Sequence, residues 1–125
     1  MNFTLSEEQQ LLKDSAQRFV RESYPLETRR ELVASDLGYS EQNWRQMAEL
    51  GWLGVTVPEE YGGIGGGPAD TMVLMEAFGS GLVLEPYLSS VVLGGNLLPQ
   101  AGSDDQREGL LPALVEGTLK LSFAY

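Results

Sequence analysis

The chain has 125 residues, enough for one domain with a hydrophobic core, and its apolar and charged fractions are typical of a globular protein. Its formal net charge is −10, and no Lys or Arg occurs between Arg45 and Arg107. Because nucleic acids and anionic membrane surfaces are bound by basic patches, neither is an expected partner. The sequence has no Cys and no His, which excludes disulfides, thiolate and imidazole catalysis and the usual zinc ligands.

The N-terminal sequence is acidic and lacks a signal-peptide core, and no uncharged run is long enough to span a bilayer. We therefore expect a cytoplasmic protein without a membrane span. Short helices with clear start and stop signals are predicted along most of the chain. In chain order, the first helix is predicted from a start at Thr4 to an end at Pro25, and the next two over residues 26–37 and 41–50. The fourth begins at residue 68 or 70 and ends at 78, and the fifth covers about 86–98. The last runs from 103 to 112 and is followed by a turn that ends at 117.

The boundaries of these helices depend on local capping signals. Thr4-x-x-Glu7 is a capping-box pattern for the first helix. Gly38 is the expected C-cap of the second helix, Ser40 the N-cap of the third, and Gly51 its end. Trp44, Met47 and Ala48 are expected on the inner side of the third helix.

A short extended segment is predicted over 53–58, followed by a Gly-rich loop over 59–68. An extended segment, a Gly-rich loop and a helix in this order are typical of phosphate-binding sites. However, the dinucleotide pattern counted from Gly63 requires glycine where Pro68 stands, and no Gly-Lys-Ser/Thr sequence follows. A tight turn between helices is therefore the favoured interpretation, with anion binding by oriented backbone amides as the alternative.

Two carboxylates, Glu76 and Glu85, lie in strongly apolar stretches of sequence. Burial would raise the pKa of either group, and a raised pKa suits a general acid or base. A single buried acid more commonly pairs with a backbone amide or a distant cation, which is our interpretation for Glu76, whereas the role of Glu85 stays open. Met72 and Met75 are expected in the core. No catalytic residue and no metal site is predicted, because no group of side chains forms a catalytic constellation.

The last eight residues alternate strictly, with Leu119, Leu121, Phe123 and Tyr125 on one side. This is the period of a half-buried β-strand, and an isolated strand is not stable in water. We therefore expect 1–117 to form a helical domain and 118–125 to be the first strand of a second, β-rich domain.

The middle of the chain contains two motif strings, WRQMAELGWLGV at residues 44–55 and VPEEYGG at residues 57–63. These strings resemble the N-terminal domain of acyl-CoA dehydrogenases. Residues 5–10 (LSEEQQ) and 101–106 (AGSDDQ) are similar to the first and last helices of that domain. The resemblance covers essentially all 125 residues and implies an all-α, orthogonal bundle of about five to six helices. It also implies that 118–125 is the first strand of a middle β-barrel at which this chain is truncated.

The resemblance further implies FAD-dependent α,β-dehydrogenation of an acyl-CoA thioester, with electron-transferring flavoprotein as acceptor. The family's catalytic base lies in a C-terminal domain, so we expect the chain alone to be inactive and not to retain FAD. By correspondence with the family, the expected flavin neighbours are Phe123 and Tyr125, and the expected acyl-pocket residues are Glu85, Leu88, Ser89 and Val92.

Full-length subunits are expected to form a homo- or hetero-oligomer. Residues 81–87 depart from the straight-chain enzymes and are more similar to a bacterial subgroup that acts on unusual acyl-CoAs. The alternatives are a non-catalytic sister subunit and a helical interaction module.

Overall fold

The computed structural model describes residues 2–124. The elements are α1 (Glu7–Ser23), α2 (Leu26–Ala34), α3 (Glu41–Glu49), two 3-10 turns (Trp52–Gly54 and Glu59–Tyr61), α4 (Pro68–Gly81), a π-helix (Leu88–Gly95), α5 (Asn96–Ala101) and α6 (Asp104–Val115). The described part of the chain contains no β-strand. The all-α class and the number of α-helices are confirmed. None of the helices formed by residues 2–124 has the length and apolar character needed to cross a bilayer.

The chain divides into two compact units. The first contains the residues up to Tyr39 together with Ala69–Leu84, and the second contains Ser40–Pro68 together with the residues from Glu85 onward. In the first unit, α1 and α4 contribute the buried aromatic side chains. The Phe19 ring meets Phe78 edge-on at 6.4 Å and lies 6.2 Å from Tyr24. A Cβ on Gly81 would lie 2.3 Å from Val20 Cγ1, so glycine is needed where the two helices approach.

Helix α1 begins later than the Thr4-x-x-Glu7 pattern predicts. Its N-cap is Ser6, whose hydroxyl accepts the Gln9 N–H at 3.1 Å while the Gln9 side chain accepts the Ser6 N–H at 3.0 Å. Thr4 instead donates its N–H to the side chain of Asn2. The Ser-Gln pair satisfies two backbone donors reciprocally, which explains why it defines the helix start.

Helix α2 is shorter than predicted. It ends at Ala34, where the Ser35 hydroxyl donates to the Leu32 carbonyl at 2.6 Å. Gly38 has a φ of +74°, but it lies beyond the helix end. Serine competes with the helix for its own backbone carbonyls, which explains the early end.

The second unit has its core around α3 and α6. Trp44, Met47, Leu53, Leu111 and Leu114 are all fully buried. The indole N–H of Trp44 donates to the Gly117 carbonyl at 3.0 Å and thereby joins the start of α3 to the end of α6. The cap prediction for α3 is confirmed, since the Ser40 hydroxyl accepts the Asn43 N–H at 3.1 Å and Gly51 has a φ of +79°.

Two element predictions in this unit are wrong. Residues 53–58 are not extended, because Trp52–Gly54 forms a 3-10 turn followed by further turns. A short apolar run does not distinguish a buried strand from a buried turn. Pro112 does not end the last helix but lies inside α6. The flanking Leu111 and Leu114 are fully buried, and we attribute the tolerance of proline there to their packing.

Residues 118–124 form no strand in the structure. The N–H groups of Thr118 and Leu119 both donate to the Ala113 carbonyl, so they continue the end of α6 instead of entering a ladder. The predicted alternation is nevertheless visible in the side chains, because Leu119 and Leu121 are partly buried between exposed neighbours. The assignment of this segment to a further domain stays a prediction.

Candidate functional site: an apolar groove beside a π-helix

The site lies on the continuous helical segment made by the π-helix and α5. One side of the π-helix is buried, and its buried residues include Ser90, Gly94 and Gly95. A Cβ on Gly94 would lie 2.7 Å from Leu121 Cβ, and one on Gly95 would lie 2.8 Å from Leu114 Cδ2. The two glycines therefore allow the helix backbone to approach α6 and the terminal segment closely. Sequence reasoning predicted an α-helix here and missed the π-helix.

The opposite side of this helical segment is apolar and open. Leu88, Leu93 and Leu97 are 53%, 44% and 47% exposed. Next to them lies a groove of about 230 Å³, and its lining residues are Val92, Leu93, Asn96, Leu97, Gln100 and Phe123. The groove brings Val92, an expected acyl-pocket residue, together with Phe123, an expected flavin neighbour. Grooves lined by apolar groups with a few polar ones are typical of small-molecule sites.

Two amide side chains form the polar part of the groove. Asn96 donates through Nδ2 to the Val92 carbonyl at 2.9 Å and accepts the Thr56 hydroxyl through Oδ1 at 2.6 Å. Gln100 donates through Nε2 to the Asn96 carbonyl at 3.1 Å. These bonds hold the amides against the helix, so the groove has a fixed polar edge beside a leucine-rich wall. Sequence reasoning missed both residues, although positions 92, 96 and 100 follow a four-residue spacing that marks one helical face.

The other predicted acyl-pocket residues do not line this groove. Leu88 is exposed, and the Ser89 hydroxyl donates to the Pro86 carbonyl at 3.3 Å. Glu85 is only 5% exposed, and its Oε2 accepts the backbone N–H of Ser40 at 3.3 Å. Its carboxylate is therefore directed to the N-cap of α3. Tyr125 lies outside the described residues.

The two carboxylates of the apolar stretches have different environments. Glu85 is buried and paired with a backbone amide, as is common for a single buried acid. Glu76 is not buried, since its side chain is 67% exposed and lies 3.9 Å from the Lys13 ammonium. The expectation of a buried Glu76 is wrong, although its pairing with a distant cation is confirmed. Met72 is also 55% exposed and not a core residue. Both residues lie on the outer face of α4, whose inner face carries Val73, Leu74, Ala77 and Phe78.

The Gly-rich loop has no spare amides for a phosphate in its central part. The N–H groups of residues 63–66 donate in turn to the backbone carbonyls of Pro58, Gly54, Val57 and Val55. A Cβ on Gly63 would lie 2.0 Å from the Val57 carbonyl oxygen, so the loop is packed directly on this backbone. These contacts favour the tight-turn interpretation over anion binding. Within residues 2–124, no group of three or more Asp and Glu side chains is placed to hold a metal ion.

A buried tyrosine directly before the π-helix forms a hydrogen bond to the backbone of the first 3-10 turn. The Tyr87 hydroxyl donates to the Trp52 carbonyl at 2.8 Å, and the side chain is 2% exposed. Burial raises the pKa of the Tyr87 phenol, because the ionised form would lose its hydration. The phenol is therefore a structural donor at neutral pH.

A helical domain that presents an apolar groove with an aromatic side chain at its edge is suited to form one wall of a larger apolar ligand site. The family comparison agrees, since residues 6–118 match the model of the acyl-CoA dehydrogenase N-terminal domain. The chain belongs to the acyl-CoA dehydrogenase family and carries its N-terminal domain.

Individual relatives give the extent of the match. The acyl-CoA dehydrogenase FadE12 of Mycobacterium tuberculosis is 35% identical over 130 aligned residues, which cover 98% of this chain and 31% of the relative. The crystal structure of the ChsE4–ChsE5 complex from Mycobacterium tuberculosis is 31% identical, with a TM-score of 0.89, over 98% of this chain and 34% of that one. An acyl-CoA dehydrogenase complexed with FAD from Bacillus anthracis is 26% identical, with a TM-score of 0.83, over 93% of this chain and 20% of that one. The chain thus spans about a third or less of the proteins it matches.

Proposed function

We propose that this chain forms one wall of the acyl pocket in a FAD-dependent acyl-CoA dehydrogenase, which introduces an α,β double bond into an acyl-CoA thioester. The observation that carries the proposal is the groove shared by Val92 and Phe123. Its leucine-rich side suits an acyl chain, because apolar burial contributes about 0.8 kcal/mol per methylene. Leu88 and Ser89 lie just before the groove, at the N-terminal end of the same π-helix. We keep them, with Glu85, as proposed pocket residues.

FAD, when bound, would accept the hydride that leaves the substrate. Among the described residues, groups suited to contact FAD are found for the flavin ring and not for the pyrophosphate. Phe123 is 43% exposed beside the groove and offers an aromatic face for a flavin ring. The amides of residues 63–66 are already hydrogen-bonded and offer nothing to a pyrophosphate. Phe123 is therefore the proposed flavin neighbour among the described residues, together with Tyr125 from the sequence prediction. We expect the isolated chain to retain no FAD.

The rest of the proposal concerns the assembly. We propose oligomeric subunits, a cytoplasmic location and electron-transferring flavoprotein as the acceptor. A non-catalytic sister subunit is the second candidate, favoured by the similarity to the ChsE4–ChsE5 complex, a structure of two different named chains. Whether the flavin is reduced by an acyl-CoA distinguishes an active enzyme from such a subunit.

The test uses the protein made from its complete reading frame. Under anaerobic conditions, butyryl-CoA, octanoyl-CoA and palmitoyl-CoA are added separately, and loss of the visible flavin absorbance is followed. We expect bleaching with at least one of them. Val92→Phe should narrow the groove and raise KM most for the substrate with the longest accepted chain. The matched control is Val33→Phe, at an exposed position of α2 outside the groove, which should leave KM unchanged.

Two results would contradict the proposal. A protein that binds FAD but is bleached by none of the three acyl-CoAs would favour the sister-subunit candidate. Equal effects of Val92→Phe and Val33→Phe on KM would mean that the groove does not contact the acyl chain.

A further inference from the structure

Both backbone hydrogen-bonding groups of Leu121, its N–H and its carbonyl, bond to one side chain of the π-helix. Ser90 Oγ donates to the Leu121 carbonyl at 3.0 Å and accepts the Leu121 N–H at 3.0 Å. In a β-sheet, the same N–H and C=O groups would bond to a neighbouring strand. A hydroxyl has one donor and can also accept, so Ser90 satisfies both backbone groups of one residue. It takes the place of a strand partner at this position.

The helix surface on which Ser90 bonds to Leu121 is closely packed. Ser90 is fully buried, and Gly94, one helical turn further on, faces the same segment. A Cβ on Gly94 would lie 2.7 Å from Leu121 Cβ. Glycine at this position is therefore required for Leu121 to come within hydrogen-bonding distance of Ser90. Ser90 and Gly94 together form what we call the Leu121 anchor.

Leu121, the residue held by the Leu121 anchor, lies two residues before Phe123, which lines the groove. Phe123 lines the groove from a short segment whose backbone is bonded before it at Leu121 and at the end of α6, and whose Lys120 side chain pairs with Glu41. We propose that Ser90 is a positioning residue that, through Leu121, holds Phe123 in place as a wall of the groove and thereby sets the groove's width. The anchor itself does not depend on the proposed function, but its effect on acyl binding rests on that function.

The anchor is tested on this chain by amide hydrogen exchange in NMR. Ser90→Ala removes both bonds to Leu121, and we expect exchange of the Leu121 amide to become about tenfold faster. Nuclear Overhauser contacts between the Phe123 ring and the Leu97 methyls should weaken in the same variant. Gly94→Ala should produce both effects while leaving the Ser90 hydroxyl in place. The matched control is Ser122→Ala, which removes an exposed hydroxyl from the same segment and should change neither readout.

The indole N–H of Trp44, which bonds to Gly117 in the core, reports on the whole unit. If Ser90→Ala accelerates its exchange as much as that of Leu121, Ser90 merely stabilises the unit and the positioning role is overturned. Unchanged Leu121 exchange in both Ser90→Ala and Gly94→Ala would also overturn it.

In the flavin-containing protein, Ser90→Ala should raise KM for octanoyl-CoA about tenfold and leave kcat nearly unchanged. If the Leu121 amide responds but no acyl-CoA bleaches the flavin, the anchor stands and the proposed function fails. If acyl-CoA bleaches the flavin and the Leu121 amide does not respond, the function stands and the anchor fails.

Discussion

The hydrogen bond from Tyr87 to the Trp52 carbonyl is a direct test of the packing in the second unit. Tyr87→Phe keeps the ring and removes only the hydroxyl, so it creates little cavity. It leaves the Trp52 carbonyl without the donor that lies 2.8 Å away in the structure. Losing one buried hydrogen bond between neutral groups costs about 1 kcal/mol of folding free energy. We expect the variant to fold normally and to be less stable by that amount.

The assay is urea unfolding followed by the fluorescence of Trp44 and Trp52, both buried. A domain of this size has an m-value of about 1–3 kcal/mol per molar urea, so the expected loss lowers the unfolding midpoint by about 0.3–1 M with m unchanged. Tyr61→Phe is the matched control. Tyr61 is partly exposed in the second 3-10 turn, and its variant should stay within about 0.5 kcal/mol of the parent.

The pH dependence provides a second, independent readout. Burial raises the pKa of Tyr87 above its ordinary value of 10.0. The neutral phenol therefore contributes stability that is fully present below about pH 10 and is lost as the pH rises toward the folded-state pKa. Above about pH 10, the free energy of unfolding of the unsubstituted protein should therefore fall more steeply with pH than that of Tyr87→Phe, by up to about 1.4 kcal/mol per pH unit. The two stability curves should converge.

Two results would contradict a buried, hydrogen-bonded Tyr87 phenol. If Tyr87→Phe destabilises the protein no more than Tyr61→Phe, the hydrogen bond from Tyr87 to the Trp52 carbonyl contributes nothing to stability. Parallel stability curves for the parent and Tyr87→Phe above pH 10 would mean that the phenol is not buried in the folded protein.

Two further predictions concern the same unit. Gly63→Ala places a Cβ against backbone and should lower the free energy of unfolding in urea by more than about 3 kcal/mol. The control Gly79→Ala, on an open helical surface of α4, should raise it by up to about 1 kcal/mol. Equal effects of the two substitutions would contradict the close packing of the loop. Lys120→Met removes the 3.0 Å pair with Glu41 and the cation 5.6 Å above the Trp44 ring. It should cost about 1 kcal/mol at low salt, with the difference shrinking as salt is added, and a salt-independent difference would contradict the charge argument.

Much of the helical pattern was predictable, because the signals lie within one turn of the residues they affect. Ser40 and Ser103 are N-caps as their sequence context indicates, and both accept the N–H three residues on. Gly51 has the positive φ expected of a helix end. The error at Thr4 is of the same local kind, since two capping patterns overlap and the one with both reciprocal bonds defines the helix.

The environment of each carboxylate was not predictable from its flanking residues. Glu76 and Glu85 both lie in apolar sequence, yet one is exposed and the other is buried against the Ser40 amide. The difference depends on which face of its own unit each residue occupies. For the same reason, sequence patterns did not indicate that the amides of residues 63–66 are satisfied by carbonyls of residues 54–58.

The all-α class and the family could be predicted from the sequence alone, because helix caps and motif strings are local properties of the chain. The tertiary structure was needed to show that Val92 and Phe123, far apart in sequence, line one groove. It also shows that Leu121, in a segment with the alternation of a strand, has its backbone bonded to Ser90 instead of to a neighbouring strand. A strand pattern specifies which side chains share a face, but the hydrogen-bond partner of its backbone is supplied by whatever part of the fold packs beside it.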